Sequence, residues 1–246
     1  LPFALSAGEC SLKEGEIRRC LGVDMHFTDN GEKLGHRFFR GKMRSAAALS
    51  YSDAQAAIDG STKASDKALA MLEPVLKPLW GAFAAMTEGR NRREPLELEL
   101  PERKIVFNEA GYLTDIVLKE RFGAHKLIEE MMIQANVAAA EELESLSQKL
   151  IYRVHPEPGQ ATLAGFAGFL KTLSIDWKVG EKTTPGQFNA LMAQTKDTAH
   201  AGAISESVLR SQSQAMYSPD NDGHFGLSLK KYAHFTSPIR RYADLI

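Results

Sequence analysis

Tyr217-Ser218-Pro219-Asp220-Asn221-Asp222-Gly223-His224-Phe225-Gly226-Leu227-Ser228-Leu229-Lys230-Lys231-Tyr232-Ala233-His234-Phe235-Thr236-Ser237-Pro238-Ile239-Arg240-Arg241-Tyr242-Ala243-Asp244 packs turn residues, aromatics and cations into under thirty positions. Its end reads as a helix start. Ser237 is a good N-cap, because its hydroxyl can accept from an orphan first-turn amide. Pro238 suits the first helical position, where its missing N–H removes nothing. Arg240 and Arg241 then fall in the first turn, the wrong end for a cation beside the positive pole of the helix dipole. Such an arrangement makes sense if a phosphate sits there, since the guanidinium fork matches phosphate oxygens. The plain alternative is a surface arginine pair or a salt bridge to an acid elsewhere.

The same residues carry a resemblance. Tyr217-Ser218-Pro219, Gly223-His224-Phe225-Gly226-Leu227 and His234-Phe235-Thr236-Ser237-Pro238-Ile239-Arg240-Arg241-Tyr242 resemble, in order, the signature of the ribonuclease R / ribonuclease II family. Leu1-Pro2, Cys10-Ser11-Leu12, Ile128-Glu129-Glu130-Met131-Met132-Ile133, Ala135-Asn136 and Tyr152-Arg153-Val154-His155 extend the likeness over essentially the whole chain, closer to ribonuclease R. The resemblance implies a processive 3′-to-5′ exoribonuclease that hydrolyses single-stranded RNA to nucleoside 5′-monophosphates with magnesium. It implies a catalytic role for Arg240 and RNA contacts at Tyr51 and Glu129. It also implies that the magnesium-binding aspartates and a base-stacking tyrosine lie upstream of residue 1, so that the Mg2+ ligands fall outside this chain.

Composition sets bounds. Lys+Arg numbers 30 and Asp+Glu 31, a net charge of −1, so any nucleic-acid surface is a local patch rather than a property of the whole. Cys10 and Cys20, the only cysteines, make neither a metal knuckle nor a disulfide framework and fit a reducing cytoplasm. No apolar run nears the length of a membrane span, so no membrane partner is expected. The resemblance adds the expectation of a monomeric parent. The chain opens Leu1-Pro2-Phe3 and stops inside the helix expected from Ser237, which reads as a fragment: the central and C-terminal part of a catalytic domain, residues 1–246.

Periodicity gives an α+β architecture, a single domain with β-hairpins or a mixed sheet packed by several helices. Residues 1–20 read as loop and a short helical turn. Val23 to Met43 reads as a hairpin about Asp29-Asn30-Gly31. Its return strand carries Arg37, Arg40, Lys42 and Arg44 with no acid from 37 to 52. That is either a solvated face or one wall of an RNA channel. Helices are expected over Asp53–Gly60 and Ser65–Gly89, the second broken or kinked at Pro74 and Pro78. Arg90, Arg92 and Arg93 read as a solvated cluster. Glu97 to Leu118 reads as a second hairpin, and residues 124–149 as the strongest helix. Leu127, Ile128, Met131, Met132, Ala135, Ala138, Ala139, Leu143 and Leu146 form its expected buried stripe. Glu129 and Asn136, seven apart, would share a face beside that stripe and suit a ribose 2′-hydroxyl. Tyr152–His155 is an expected strand; helices follow at about 160–173, 185–195 and 202–216.

Other chemistries find little support. The twelfth position from Asp220 is Lys231 where a calcium loop needs Glu, so Asp220-Asn221-Asp222-Gly223 reads as a turn. No spacing supports a Ser-His-Asp or Cys-His nucleophile. His224 and His234 are equally open to structural and phosphate-contacting roles. A non-catalytic RNA-binding module is the alternative to the enzyme.

Overall fold

The first hairpin forms, and begins earlier than its apolar alternation suggests. β1 (Ile17–Phe27) pairs antiparallel with β2 (Lys33–Arg44), from Ile17 opposite Arg44 to Phe27 opposite Lys33, with a bulge at His26/Phe27. Residues 17–20 are therefore strand rather than loop; Arg18 and Arg19 hide the alternation there. The computed structural model describes residues 1–98, 103–118, 120–178, 180 and 182–245. Among these, the strands make three two-stranded antiparallel ribbons set among helices, the α+β class expected from the sequence. None of the described helices is long and apolar enough to cross a membrane. The chain divides into two compact units: Leu1–Arg92 with Arg121–Gln148 and Ala233–Ile246, and Arg93–Glu120 with Lys149–Tyr232.

In the first unit the hairpin turn is fixed by a backbone contact. Gly31 has φ +76°, open to glycine at no steric penalty. A Cβ there would lie 2.0 Å from the Ala85 carbonyl oxygen, and one at Gly89 would lie 2.4 Å from the Gly31 oxygen. Both glycines belong to one close approach between the turn and a helix. That helix follows a broken run. α1 (Tyr51–Ile58) is capped by Ser50, whose hydroxyl accepts from the Asp53 amide at 3.1 Å. α2 (Asp66–Ala70) is capped in the same way by Ser65. A π-helical turn, Leu72–Leu76, contains Pro74, which supplies no amide to a regular helix. α3 (Lys77–Arg93) then runs on with Pro78 in its first turn. The expected break is real, and Ala54, Ala57, Ala68 and Leu76 bury together across it.

α4 (Gly123–Ser145) is buried differently from a simple stripe. Ile133 to Ala140 is buried all round, whereas Ile128 and Leu146 are exposed. Glu130 is buried and faces Arg90 at 3.7 Å, so Arg90 is an internal partner rather than part of a solvated cluster. Asn136, 3% exposed, lies inside the packed zone, not beside it. Its Oδ1 accepts from the amides of Phe235 and Thr236, each at 2.9 Å, and from the Thr236 hydroxyl at 3.2 Å. From the other side Arg241 donates to the carbonyls of His234 and Thr236 and to the Asp244 carboxylate. The 233–241 segment is thus held by its amides and its carbonyls at once.

The expected helix from Ser237 does not form. Ser237 sits in the left-handed region (φ 57°, ψ 46°), and its side chain caps nothing. Pro238–Arg240 is a single 3-10 turn, Arg241 is extended, and a four-residue helix Tyr242–Leu245 follows. The side-chain bonds to Thr236 and Arg241 set this geometry in place of a serine cap.

In the second unit, β3 (Arg103–Phe107) and β4 (Leu113–Leu118) form the later hairpin; residues 99–102 of the expected Glu97–Leu118 span lie outside the described residues. β5 (Tyr152–Val154) pairs instead with the distant β6 (Met216–Ser218). α5 (Gln160–Thr172), α6 (Pro185–Thr195) and α7 (Ala201–Ser211) enclose Leu163, Phe166, Leu170, Phe188, Leu191, Ile204 and Val208. α7 stops at Ser211, short of the expected 216, because Gln212 turns to extended backbone. Arg93, expected in solvent, donates to the Leu227 carbonyl at 3.1 Å. His155 ties β5 to the next loop: its Nδ1 accepts from the Gly226 amide at 3.0 Å and its carbonyl from the Phe225 amide at 2.8 Å.

Two outcomes follow from these anchors. Asn136→Leu leaves buried amides unpaired, at about 1–3 kcal/mol for each, and lowers the urea midpoint accordingly. Burial pushes the His155 pKa below its ordinary 6.5, against the opposing effect of its hydrogen bond to Ser213. The folded protein therefore resists protonating a ring that the unfolded chain protonates readily. This stability is full above pH 6.5 and falls as acid is added below it. His155→Gln keeps an acceptor and flattens that acid limb in a pH series of melting temperatures.

Candidate functional site

Arg240 and Arg241 are neighbours with opposite fates. Arg241 has its side chain 13% exposed, with its guanidinium shared between two carbonyls and Asp244. Arg240, one residue back on the 3-10 turn, is exposed and makes no hydrogen bond or ion pair among the described residues. A guanidinium has five donors in a fixed fork. Arg241 directs its fork at the fold, and Arg240 leaves its own open to a planar anion such as a phosphate.

Tyr51 opens α1 and is 44% exposed. One face of its ring stacks on His125, centroids 4.1 Å apart and planes inclined by 24°; Phe122 also stacks with His125, at 5.6 Å and 18°. His125 is fixed because its Nδ1 accepts from the Phe122 amide at 3.2 Å. Gln55 of α1 reaches the same end of α4, accepting from the Ala124 amide at 3.0 Å. The result is an aromatic cluster at two helix starts in which Tyr51 remains exposed. A nucleobase stacked on such a ring gains roughly 1–3 kcal/mol regardless of sequence.

Glu129 lies one helical turn beyond His125, on the same face of α4. It is half exposed and paired with Arg121. Glu129 is thus one turn from the residue that stacks on Tyr51, whereas Asn136, two turns further along, is buried. The pairing of Glu129 with Asn136 about a ribose is corrected: the Asn136 oxygen is taken by the 235–236 backbone. His125 and Arg121 were not singled out from sequence. A histidine three residues past a helix boundary carries no period of its own, and only the meeting of α1 with α4 gives it a partner.

His224 serves the fold. Its Nδ1 accepts from the Leu227 amide at 3.2 Å, and its ring meets Tyr232 and His155 edge-on. The Asp220–Gly223 loop is a turn, with Asn221 Oδ1 accepting from the Gly223 amide at 3.1 Å. Among the described residues, no group of three or more His, Cys, Asp or Glu side chains is placed to hold a metal ion. The donors present do not fit the magnesium that the resemblance implies.

Comparison with known proteins gives the context. Ribonuclease R of Vibrio cholerae serotype O1 is 38% identical over 246 residues, spanning 100% of this chain and 30% of that protein. Ribonuclease R of Escherichia coli K12 is 35% identical over 245 residues, again 100% of this chain and 30% of the relative. The chain thus spans about a third of the length of these curated relatives. Among solved structures, RNase R of Mycoplasma genitalium in complex with double-stranded RNA superposes with a TM-score of 0.89 at 26% identity, covering 100% of this chain and 43% of that one. Its apo form gives 0.88 at 25%, covering 100% and 38%. The model of the RNB domain matches residues 1–246, and the chain therefore belongs to the RNB-domain family.

Proposed function

We propose that this chain is part of the catalytic domain of a processive 3′-to-5′ exoribonuclease that hydrolyses single-stranded RNA to nucleoside 5′-monophosphates. The observation that carries this reading is the uncommitted guanidinium of Arg240 on a turn locked by Asn136 and Arg241. A donor carried on a backbone held in place before the reaction would stabilise charge as it develops on the attacked phosphate, with less reorganisation than one carried on a mobile loop. Tyr51 would stack a base, and Glu129 would contact the backbone or ribose of the bound strand. The relatives bear on this reading: they are named ribonuclease R, and one solved relative is described in complex with ribose-methylated single-stranded RNA.

Magnesium would activate water and neutralise charge at the phosphate, and its ligands are to be sought outside these 246 residues. The two free thiols suit a cytoplasmic setting, and a monomer is the simplest assembly for the full-length protein. A second reading is an RNA-binding module that does not cut. It draws on the lack of a metal-holding group among the described residues.

The test uses the full-length protein with 5′-labelled single-stranded RNA, in magnesium and then in EDTA. Magnesium-dependent shortening from the 3′ end is expected; binding without shortening favours the second reading. Arg240→Ala is expected to lower turnover by about 10²–10³ and RNA affinity far less. Equal losses would remove the catalytic assignment. Arg241→Ala is expected to lower the melting temperature, which Arg240→Ala leaves in place. Tyr51→Ala is expected to weaken RNA binding by roughly 1–3 kcal/mol.

A further inference from the structure

The β1–β2 hairpin gathers cations that its sequence does not place together. Directly opposed residues of an antiparallel pair share a face, and residues two apart along a strand share it as well. Arg19 lies opposite Lys42, Leu21 opposite Arg40 and Ile17 opposite Arg44. Arg19, Arg40, Lys42 and Arg44 therefore project from one face, and all four are exposed. Arg37 leaves the set: it lies opposite Asp24 on the other face and pairs with it at 2.8 Å. Arg19, more than twenty residues upstream of the other three and brought to them only by strand pairing, takes its place.

Among the described residues, the acids nearest the patch in sequence are committed elsewhere. Glu14, which bridges beside Ser45, is taken by Lys67 and the Ala48 amide. Glu16 pairs with Arg18. Among the described residues, none of the four cations has a hydrogen bond or ion pair. Arg19 and Lys42 face each other directly across the ribbon, and like charges so placed destabilise a hairpin. In a protein of net charge −1, this repulsion is left standing at one place.

The same face has a direction. Two residues before Arg40, Phe38 meets Phe235 edge-on at 5.2 Å; two before that, His36 lies 3.2 Å from Glu142 of α4. One end of the face is thus docked on the segment that carries Arg240, and the other end is bare and basic. Along β2 the cations stand about 7 Å apart, two strand residues, a step close to that between successive phosphates of an extended strand.

We propose that Arg44, Lys42 and Arg40, with Arg19 beside them, form a phosphate track that leads single-stranded RNA toward the Phe235–Arg240 segment. The track rests on the exoribonuclease reading and adds an approach surface to it. It is sequence-independent, because it offers charges and no base-edge donors in a fixed pattern.

The test compares the full-length protein with its Arg19→Gln/Arg40→Gln/Lys42→Gln/Arg44→Gln variant, and with an Arg19→Lys/Arg40→Lys/Arg44→Lys variant. Binding of a single-stranded homopolymer is followed in EDTA across about 50–200 mM salt. Each lost phosphate contact removes about 0.7 from the log–log salt slope, so four remove up to about 3, or roughly 60-fold less change in affinity across that window. The glutamine variant is expected to show this flattening with a melting temperature equal to or above that of the unchanged protein; the lysine variant is expected to keep the slope. An unchanged slope in the glutamine variant, while the unchanged protein binds and shortens RNA, overturns the track and leaves the exoribonuclease reading intact. A lowered melting temperature with equal loss of affinity at every salt concentration also overturns it, since the residues then serve only the fold. If the unchanged protein neither binds nor shortens RNA, the underlying reading falls and the track with it.

Discussion

A single amide oxygen, Oδ1 of Asn136, sets the shape of the segment that carries Arg240. It lies inside the most densely packed part of α4, where an unpaired polar group is costly, and it takes two consecutive backbone amides and a hydroxyl. Consecutive amides converge on one acceptor only if the chain between them is tightly curved. Arg241 closes the same curve from its carbonyl side. Between these two clamps the chain adopts a left-handed Ser237 and a one-turn 3-10 helix, and Arg240 emerges from that turn. The two clamps fix the backbone from which Arg240 projects and leave its side chain free.

The electrostatics follow a similar division between internal and outward roles. Arg18, Arg37, Arg90, Arg121 and Arg241 each meet a carboxylate of the fold. Among the described residues, Arg240 and the cations at the open end of the first hairpin do not. A near-zero net charge therefore conceals a separation between cations that neutralise acids and cations that face solvent. Total charge is a poor guide to such a protein, because pairing removes most of it from view and leaves local fields that act within about 8–10 Å at moderate salt.

Much of this was legible in the residues. Asp29-Asn30-Gly31 located the first hairpin, Pro74 and Pro78 located the break before α3, and the apolar spacing located α4 and the helices of the second unit. What was not legible had a common origin in long-range pairing. Ser237-Pro238 has the local chemistry of a helix start, and bonds to residues a hundred positions away overrode it. Glu129 and Asn136 share a helical period, but burial of Asn136 against the 235–236 backbone separates their surroundings. Of the candidate site, Arg240, Tyr51 and Glu129 were named from resemblance; the partners Arg121 and His125, and the inward role of Arg241, became visible only once the helices were placed. Arg19 emerged from strand register, which its own neighbourhood in sequence does not encode.

The contact between Gly31 and Gly89 joins two positions into one heritable unit. Neither residue has a chemical role, yet each excludes a side chain at the other's backbone. Whichever glycine changes first parts the hairpin turn from α3, and most of the penalty is incurred then. A change at the second position acts on a contact already lost, so the two penalties do not add. The coupling is unequal: a change at Gly31 removes the constraint on Gly89, whereas a change at Gly89 leaves Gly31 held by its positive φ and by the Ala85 carbonyl.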